Sequence, residues 1–446
     1  MAFSARRLAC AASIVTLSIV TAPAMAAVSA PSTAGDDVAS ENRALGAVAS
    51  VLGRFRIDGT MNTLYDSNML RVGDGIRLAP GTQKSDFRFS PGVTLSTALP
   101  FGRQQFFASG TLGRDIYANN TQLNRNRYAV DGGINWRLGT RCSGVADIDY
   151  ESRQQLLSEL SVVEPNKQNT FSYGASANCQ ANAGIGFGGS VRRIEVRNDS
   201  VARIPFDADS WVFSPQISYG SPNLGQFSIS GSWTNADYPE RPILTTDLAL
   251  DTDGVKIVSG RFGYERGLGS RLQVKAGVSY IEVDPQPRDI LVVVPAPPPP
   301  LFAVQSREKS SNLGFDLAVV YRSGSRLSGT VSANRRATAS VNVGAQYQLI
   351  QAYGLDIDYR MNQAISLGTG ITYDQRDYRN SFISAQEPLL RLQDKITRVY
   401  GSINYAPVAL YSVGFELSYQ DRKSNPAEYS YDAVAALLRL RVSFGR

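Results

Sequence analysis

The sequence predicts an all-β fold: a transmembrane, antiparallel, up-and-down β-barrel of about 18 strands, with short periplasmic turns and long extracellular loops. Three observations carry that prediction. From Arg54 to the C-terminus apolar and polar residues alternate, the period of a strand whose successive side chains point to opposite faces of a sheet. The turns between strands alternate short and long. A secretory leader stands ahead of the first strand.

The elements follow in chain order. Arg6 and Arg7, the apolar run Leu8 to Val20, and the small-x-small site Ala24-Met25-Ala26 make residues 1–26 a signal peptide, cleaved after Ala26. The apolar run is shorter than the roughly 20 residues a membrane-crossing helix needs. Residues 27–53 are rich in small residues and form a periplasmic lead-in; residues 54–446 form the outer-membrane barrel. Short turns fall at Pro100-Phe101-Gly102, Gly139-Thr140-Arg141, Ala181-Asn182-Ala183, Ser221-Pro222-Asn223, Gly267-Leu268-Gly269, Ser323-Gly324-Ser325, Met361-Asn362-Gln363 and Pro407-Val408-Ala409. Between them lie longer connections at 73–85, 156–169, 198–209, 238–254, 284–312 and 380–395. This order puts both termini on the periplasmic side. The run Leu291 to Pro300, ending Pro297-Pro298-Pro299-Pro300, cannot continue a hydrogen-bonded ladder and reads as a stiff loop tip.

The faces are consistent from strand to strand. In the last segment Val434, Ala436, Leu438, Leu440, Val442 and Phe444 oppose Leu437, Arg439, Arg441 and Ser443. Leu313, Phe315, Leu317, Val319 and Tyr321 oppose Asp316 and Arg322; Tyr353, Leu355, Ile357 and Tyr359 oppose Asp356, Asp358 and Arg360. Tyr411, Val413, Phe415, Leu417 and Tyr419 oppose Glu416 and Gln420. Tyr and Trp cluster at strand ends on the apolar face, as Trp136, Tyr150, Trp211, Tyr219, Trp233, Tyr264 and Tyr280, where amphipathic rings form an interfacial girdle.

Composition narrows function. The chain has no histidine, which removes Ser-His-Asp and Cys-His catalysis and every His-ligated metal site. No carboxylate pair or lysine base stands out in its place, so no enzyme activity, cofactor or resident metal is expected. The net charge of +6 includes the two leader arginines, leaving a weakly basic mature chain with no expected nucleic-acid partner. Cys142 and Cys179 are the only cysteines after the leader. Their register places them on neighbouring strands, at equal depth, on the outward face, so an oxidising compartment favours a disulfide.

The inward positions hold a large set of charges. Arg56, Arg88, Arg127, Arg137 and Arg192 come from the first half; Arg261, Arg322, Arg326, Arg336, Arg360 and Arg376 from the middle; Arg398, Arg422, Arg439 and Arg441 from the end. The interleaved acids include Asp58, Asp131, Asp316, Asp356, Asp358, Asp374 and Glu416. Two readings stand: a salt-bridged wall of the kind any wide barrel needs, or an electropositive conduit for an anionic polymer. Asp147, Asp149 and Glu151 share one face, a spacing that calcium could use.

Three segments at strand ends carry a resemblance. Tyr65-Asp66-Ser67-Asn68, Thr372-Tyr373-Asp374-Gln375-Arg376-Asp377-Tyr378, and Asp421-Arg422-Lys423-Ser424-Asn425 followed by Tyr429-Ser430-Tyr431 resemble the β-barrel porin 2 family. These are EpsL-like outer-membrane proteins encoded with exopolysaccharide biosynthesis genes in Gram-negative cells. The resemblance implies a conduit exporting an exopolysaccharide, an anionic one if the wall arginines set the choice. Its partners would be outer-membrane lipid, the polysaccharide chain, and periplasmic and inner-membrane secretion proteins. A general uptake porin and a structural or adhesive barrel are the alternatives. The chain departs from the usual terminal aromatic of such barrels, since Gly445-Arg446 follows Phe444.

Overall fold

The computed structural model describes residues 55–73, 78, 80–155, 165–180, 183–294, 301–340, 345–381 and 391–445. The leader, the lead-in and Pro295 to Pro300 lie outside these residues. The first eleven strands are β1 (Arg56–Asp66), β2 (Asp86–Phe101), β3 (Gln104–Tyr117), β4 (Arg125–Leu138), β5 (Cys142–Gln154), β6 (Lys167–Cys179), β7 (Gly184–Asn198), β8 (Ala208–Ser221), β9 (Gly225–Thr245), β10 (Leu250–Leu268) and β11 (Leu272–Gln286). A small hairpin follows, β12 (Asp289–Val294) with β13 (Leu301–Ser306). The remainder are β14 (Ser310–Ser323), β15 (Leu327–Ala339), β16 (Tyr347–Arg360), β17 (Ile365–Arg379), β18 (Gln393–Val408), β19 (Tyr411–Asn425) and β20 (Tyr431–Phe444).

Each strand pairs antiparallel with its sequence neighbour, except that β11 pairs directly with β14 and leaves the β12–β13 hairpin outside the wall. β1 then pairs with β20, from Ile57 opposite Phe444 to Asp66 opposite Ala435, and closes the ring. The result is a closed antiparallel barrel of 18 strands. Closure satisfies every strand edge, which a lipid environment requires because it offers no hydrogen-bonding partner.

Alternation sets the two faces. Leu313 is 71% exposed on the outer surface, whereas Leu437 is 3% exposed on the inner one. Outward Val93, Leu112, Ile217, Ile229, Val278 and Leu440 continue the apolar band around the wall. Most wall strands have 13 to 16 residues, longer than the 9–11 that a tilted strand needs to cross a bilayer. Short turns close one end, with Gly102, Gly139, Gly269 and Gly324 at φ of 62–68°, the left-handed region that glycine enters without a Cβ clash. Both ends of the described chain lie at this short-turn end.

Two connections differ from the sequence reading. Residues 238–254 are not a loop: β9 and β10 run on to Thr245 and from Leu250, leaving a turn of four residues. Leu291 to Val294 join a ladder with β13, opposite Leu301 to Val304, instead of forming an irregular tip. Both follow from β-rich residues pairing with an antiparallel partner once a turn brings one within reach.

Candidate functional site

Every arginine and acid named above as lumen-lining lies on the inward parity of its strand, except Arg326, which lies in the β14–β15 turn, but they do three different things. From the mid-wall down to the short-turn end of the closing strands, one set is neutralised. Glu416 joins Arg398 at 2.7 Å and Arg439 at 3.0 Å. Asp58 joins Arg56 at 3.0 Å and Arg441 at 3.1 Å, across the closing pair of strands. Arg88 is half-buried on the inward face of β2.

Several of these contacts leap a strand, and a glycine lets them. Arg192 on β7 lies over Gly174 on β6 to reach Asp147 on β5 at 2.6 Å and Asp149 at 3.4 Å. Arg261 on β10 crosses Gly277 on β11 to hold Asp316 on β14 with two hydrogen bonds of 2.6 Å. Tyr400 on β18 crosses Gly370 on β17 to donate to Asp356 on β16 at 2.7 Å. Arg127 likewise lies against Gly113 of β3 and Gly92 of β2. Arg192 occupies Asp147 and Asp149, so in this structure these acids serve as its partners in the wall.

At the long-loop end described segments fold into the lumen. The outer part of the β15–β16 hairpin leaves the wall and folds inward. Ala337, Ala339, Tyr347 and Leu349, on the parity that faces outward lower down, pack against inward Ala236, Val255, Ile257, Ile281 and Val283. Beside it Asp253, fully buried, accepts from Arg307 at 2.7 Å, Arg241 at 3.1 Å and Gln346 at 2.9 Å. Tyr238 donates to the Gln346 carbonyl at 3.0 Å, and Asn380 donates to its side-chain oxygen at 2.8 Å.

A second apolar cluster covers the opposite side of this mouth. Met69, Leu70 and Val72 from the β1–β2 connection and Leu123 pack on inward Leu64, Tyr117, Ala435 and Leu437. Asp66 fixes that connection through two hydrogen bonds from Arg71, at 2.8 and 2.6 Å, and one from the Asn68 N–H at 2.8 Å. Asp394 gathers Arg422, Ser424 and Tyr378, the last at 2.6 Å. Arg376 is 2% exposed, 3.6 Å from Asp374. In the loop before β8, Asp207 accepts from the Asn198 N–H and side chain at 2.8 Å each, while burial holds its carboxyl above the ordinary range. The residues that carry the family resemblance thus sit largely in the polar fastenings of this mouth.

A third set, at the short-turn end away from the closing strands, stands differently. Arg137, Arg322, Arg326 and Arg360 are exposed, and none enters an ion pair among the described residues. Asp358, also exposed, shares the inward face of β16 with Arg360. On the outer surface near this end, Cys142 and Cys179 face one another across β5 and β6 with Cα atoms 4.0 Å apart and are joined as a disulfide.

Sequence reasoning missed Asp253, Gln346, Tyr238, Arg241, Arg307 and Asp394. The sequence reading places Tyr238, Arg241 and Asp253 in a connection, Gln346 falls in one, and the partners of these four lie 12 to 108 residues away along the chain, so no local pattern marks them. Glycine opposite an inward arginine was a readable signal for the strand-leaping contacts, but only once the register was known.

No family model matches the chain, and no curated protein matches it. Among solved structures it is similar to OccK2 (OpdF) of Pseudomonas aeruginosa, at 10% identity and a TM-score of 0.44 over 88% of this chain and 98% of that one. It is also similar to a BenF-like porin from Pseudomonas fluorescens Pf-5, at 11% identity and a TM-score of 0.43 over 87% and 99%. The siderophore receptor PirA from Pseudomonas aeruginosa gives 12% identity and a TM-score of 0.44 over 88% and 81%.

Proposed function

We propose that this barrel lies in the outer membrane, its short-turn end toward the periplasm, and conducts an exopolysaccharide outward. The observation that carries this reading is the wall itself. Eighteen strands enclose a lumen wider than side chains alone fill, apolar outside and lined inside by rows of Arg, Asp, Asn and Tyr. Such rows offer many weak hydrogen bonds to sugar hydroxyls and carboxylates, so a chain slides without a deep trap. The resemblance to EpsL-like proteins supports the same cargo. The infolded segments narrow the outer mouth, so passage of a polymer requires them to move aside.

A second reading, an uptake porin for small solutes, is favoured by those same segments, which narrow the outer mouth. Deleting the gene and weighing the secreted polysaccharide separates the two. Export should fall severalfold or more; unchanged export with reduced uptake of small solutes would establish the porin.

A further inference from the structure

We propose that the short-turn rim carries a capture site for a carboxylated polysaccharide, formed by Arg271, Arg322, Arg326 and Arg360. This deepens the conduit reading and rests on its placing that rim where cargo enters. The four lie along one arc of the rim: Arg271 in the turn before β11, Arg322 near the end of β14, Arg326 in the β14–β15 turn and Arg360 at the end of β16. Backbone bonds tie them in pairs: Arg322 N–H donates to the Arg271 carbonyl at 2.7 Å, and Arg360 N–H to the Arg326 carbonyl at 2.6 Å. All four side chains are exposed, and among the described residues none enters an ion pair. That sets them apart from the other wall arginines, whose charge is spent on Glu416, Asp58, Asp147 and Asp316, including Arg56 and Arg441 at the short-turn end of the closing strands.

Geometry selects the ligand. Adjacent strands stand about 4.8 Å apart, so the arc spreads four guanidinium groups over roughly 14 Å of rim. A single small anion cannot touch them all; a polymer can. The planar guanidinium fork matches a carboxylate, so the repeat that suits it is a uronic acid. Arg322 and Arg360 stand on the inward parity, which turns the arc toward the lumen entrance and away from lipid headgroups. Asp358, on the same inward face, adds one opposing charge to four. The net field at this edge stays positive and would concentrate an anionic chain before it threads.

The test uses the mature barrel in detergent micelles, titrated calorimetrically with oligogalacturonate and with oligomaltose of equal length. Oligogalacturonate should bind and oligomaltose should not, with binding weakened by added salt. The variant Arg322→Gln/Arg326→Gln/Arg360→Gln should bind oligogalacturonate about tenfold more weakly. Arg125→Gln, at the opposite end, should leave binding unchanged. If the triple variant loses the gel mobility of the folded barrel, Arg326→Gln alone, in an exposed turn, should still weaken binding about threefold. Equal binding of the two sugars overturns the proposal. So does unchanged affinity in the variants, or a variant effect confined to phosphatidylglycerol vesicles. The readout is independent of the direction of flow: binding that survives while export proves normal in the deletion strain would refute the conduit reading and leave the capture site standing.

Discussion

An added Cβ at Gly277 would sit 2.5 Å from both Arg261 Nη2 and Asp316 Oδ1, inside the contact that spans it. Gly277→Ala should therefore break the same ion pair that Arg261→Gln removes. Both partners keep access to water, at 29% and 40% exposure, so the pair is worth at most about 1 kcal/mol. The two substitutions should not add, because each destroys one shared interaction. Urea unfolding of the single and double variants in lipid vesicles measures this; full additivity would show that Gly277 and Arg261 act separately. The same logic holds at Gly174 beneath Arg192 and Gly370 beneath Tyr400. At this scale the sequence revealed which residues face inward, since parity alone decides that. It could not reveal which are neutralised, because a partner two strands away depends on register and on a glycine in the intervening strand.

The β15–β16 hairpin shows where alternation stops being a guide. Ala337, Ala339, Tyr347 and Leu349 continue the parity of outward Val331, Tyr353 and Leu355, yet they are buried inside the mouth. The hairpin bends, and the face that would meet lipid meets the inner wall of β10 and β11. Period-two patterning records only which residues share a face, not what that face is turned toward. For the same reason the connections at 118–124, 340–346 and 426–430 were not separated from their strands in the sequence. Gln346 is the natural point of release, since it touches Asp253, Tyr238 and Asn380 at once. Gln346→Ala removes one donor from buried Asp253 and should weaken the docked hairpin by about 1–3 kcal/mol. Planar-bilayer recordings should then show more frequent or larger openings than the unaltered barrel. Traces indistinguishable from it would mean that the hairpin does not close the path.

For the whole molecule, strand number, the meeting of the first and last strands at the short-turn end and the polarity of the two faces were all legible, because every strand repeats one physical demand: apolar outward, polar toward the lumen. The disulfide matters less at this scale than its chemistry suggests. Bridging Cys142 and Cys179 closes a loop with a sequence separation of 37, nominally worth about 2–4 kcal/mol through the unfolded chain. The two residues are already opposite one another in the β5–β6 ladder, which lowers that figure. Cys142→Ser/Cys179→Ser should still fold, with a urea midpoint reduced only modestly; loss of the folded gel mobility would show that the bridge is needed for assembly.

The β1–β20 pair is the seam of the ring: among the described wall strands, every other adjacent pair is consecutive along the chain or separated only by the β12–β13 excursion. Along the seam Asp58 holds Arg441, and Arg56 donates to Ser443 at 3.1 Å, so it is fastened on the lumen side as firmly as its neighbours. Its chain ends also lie beside one another at the short-turn end. Linking them and cutting any other short turn would move the seam while leaving each ladder, each glycine crossing and each fastening where it stands. The wall is specified by which strands are neighbours, and in a ring no strand comes first.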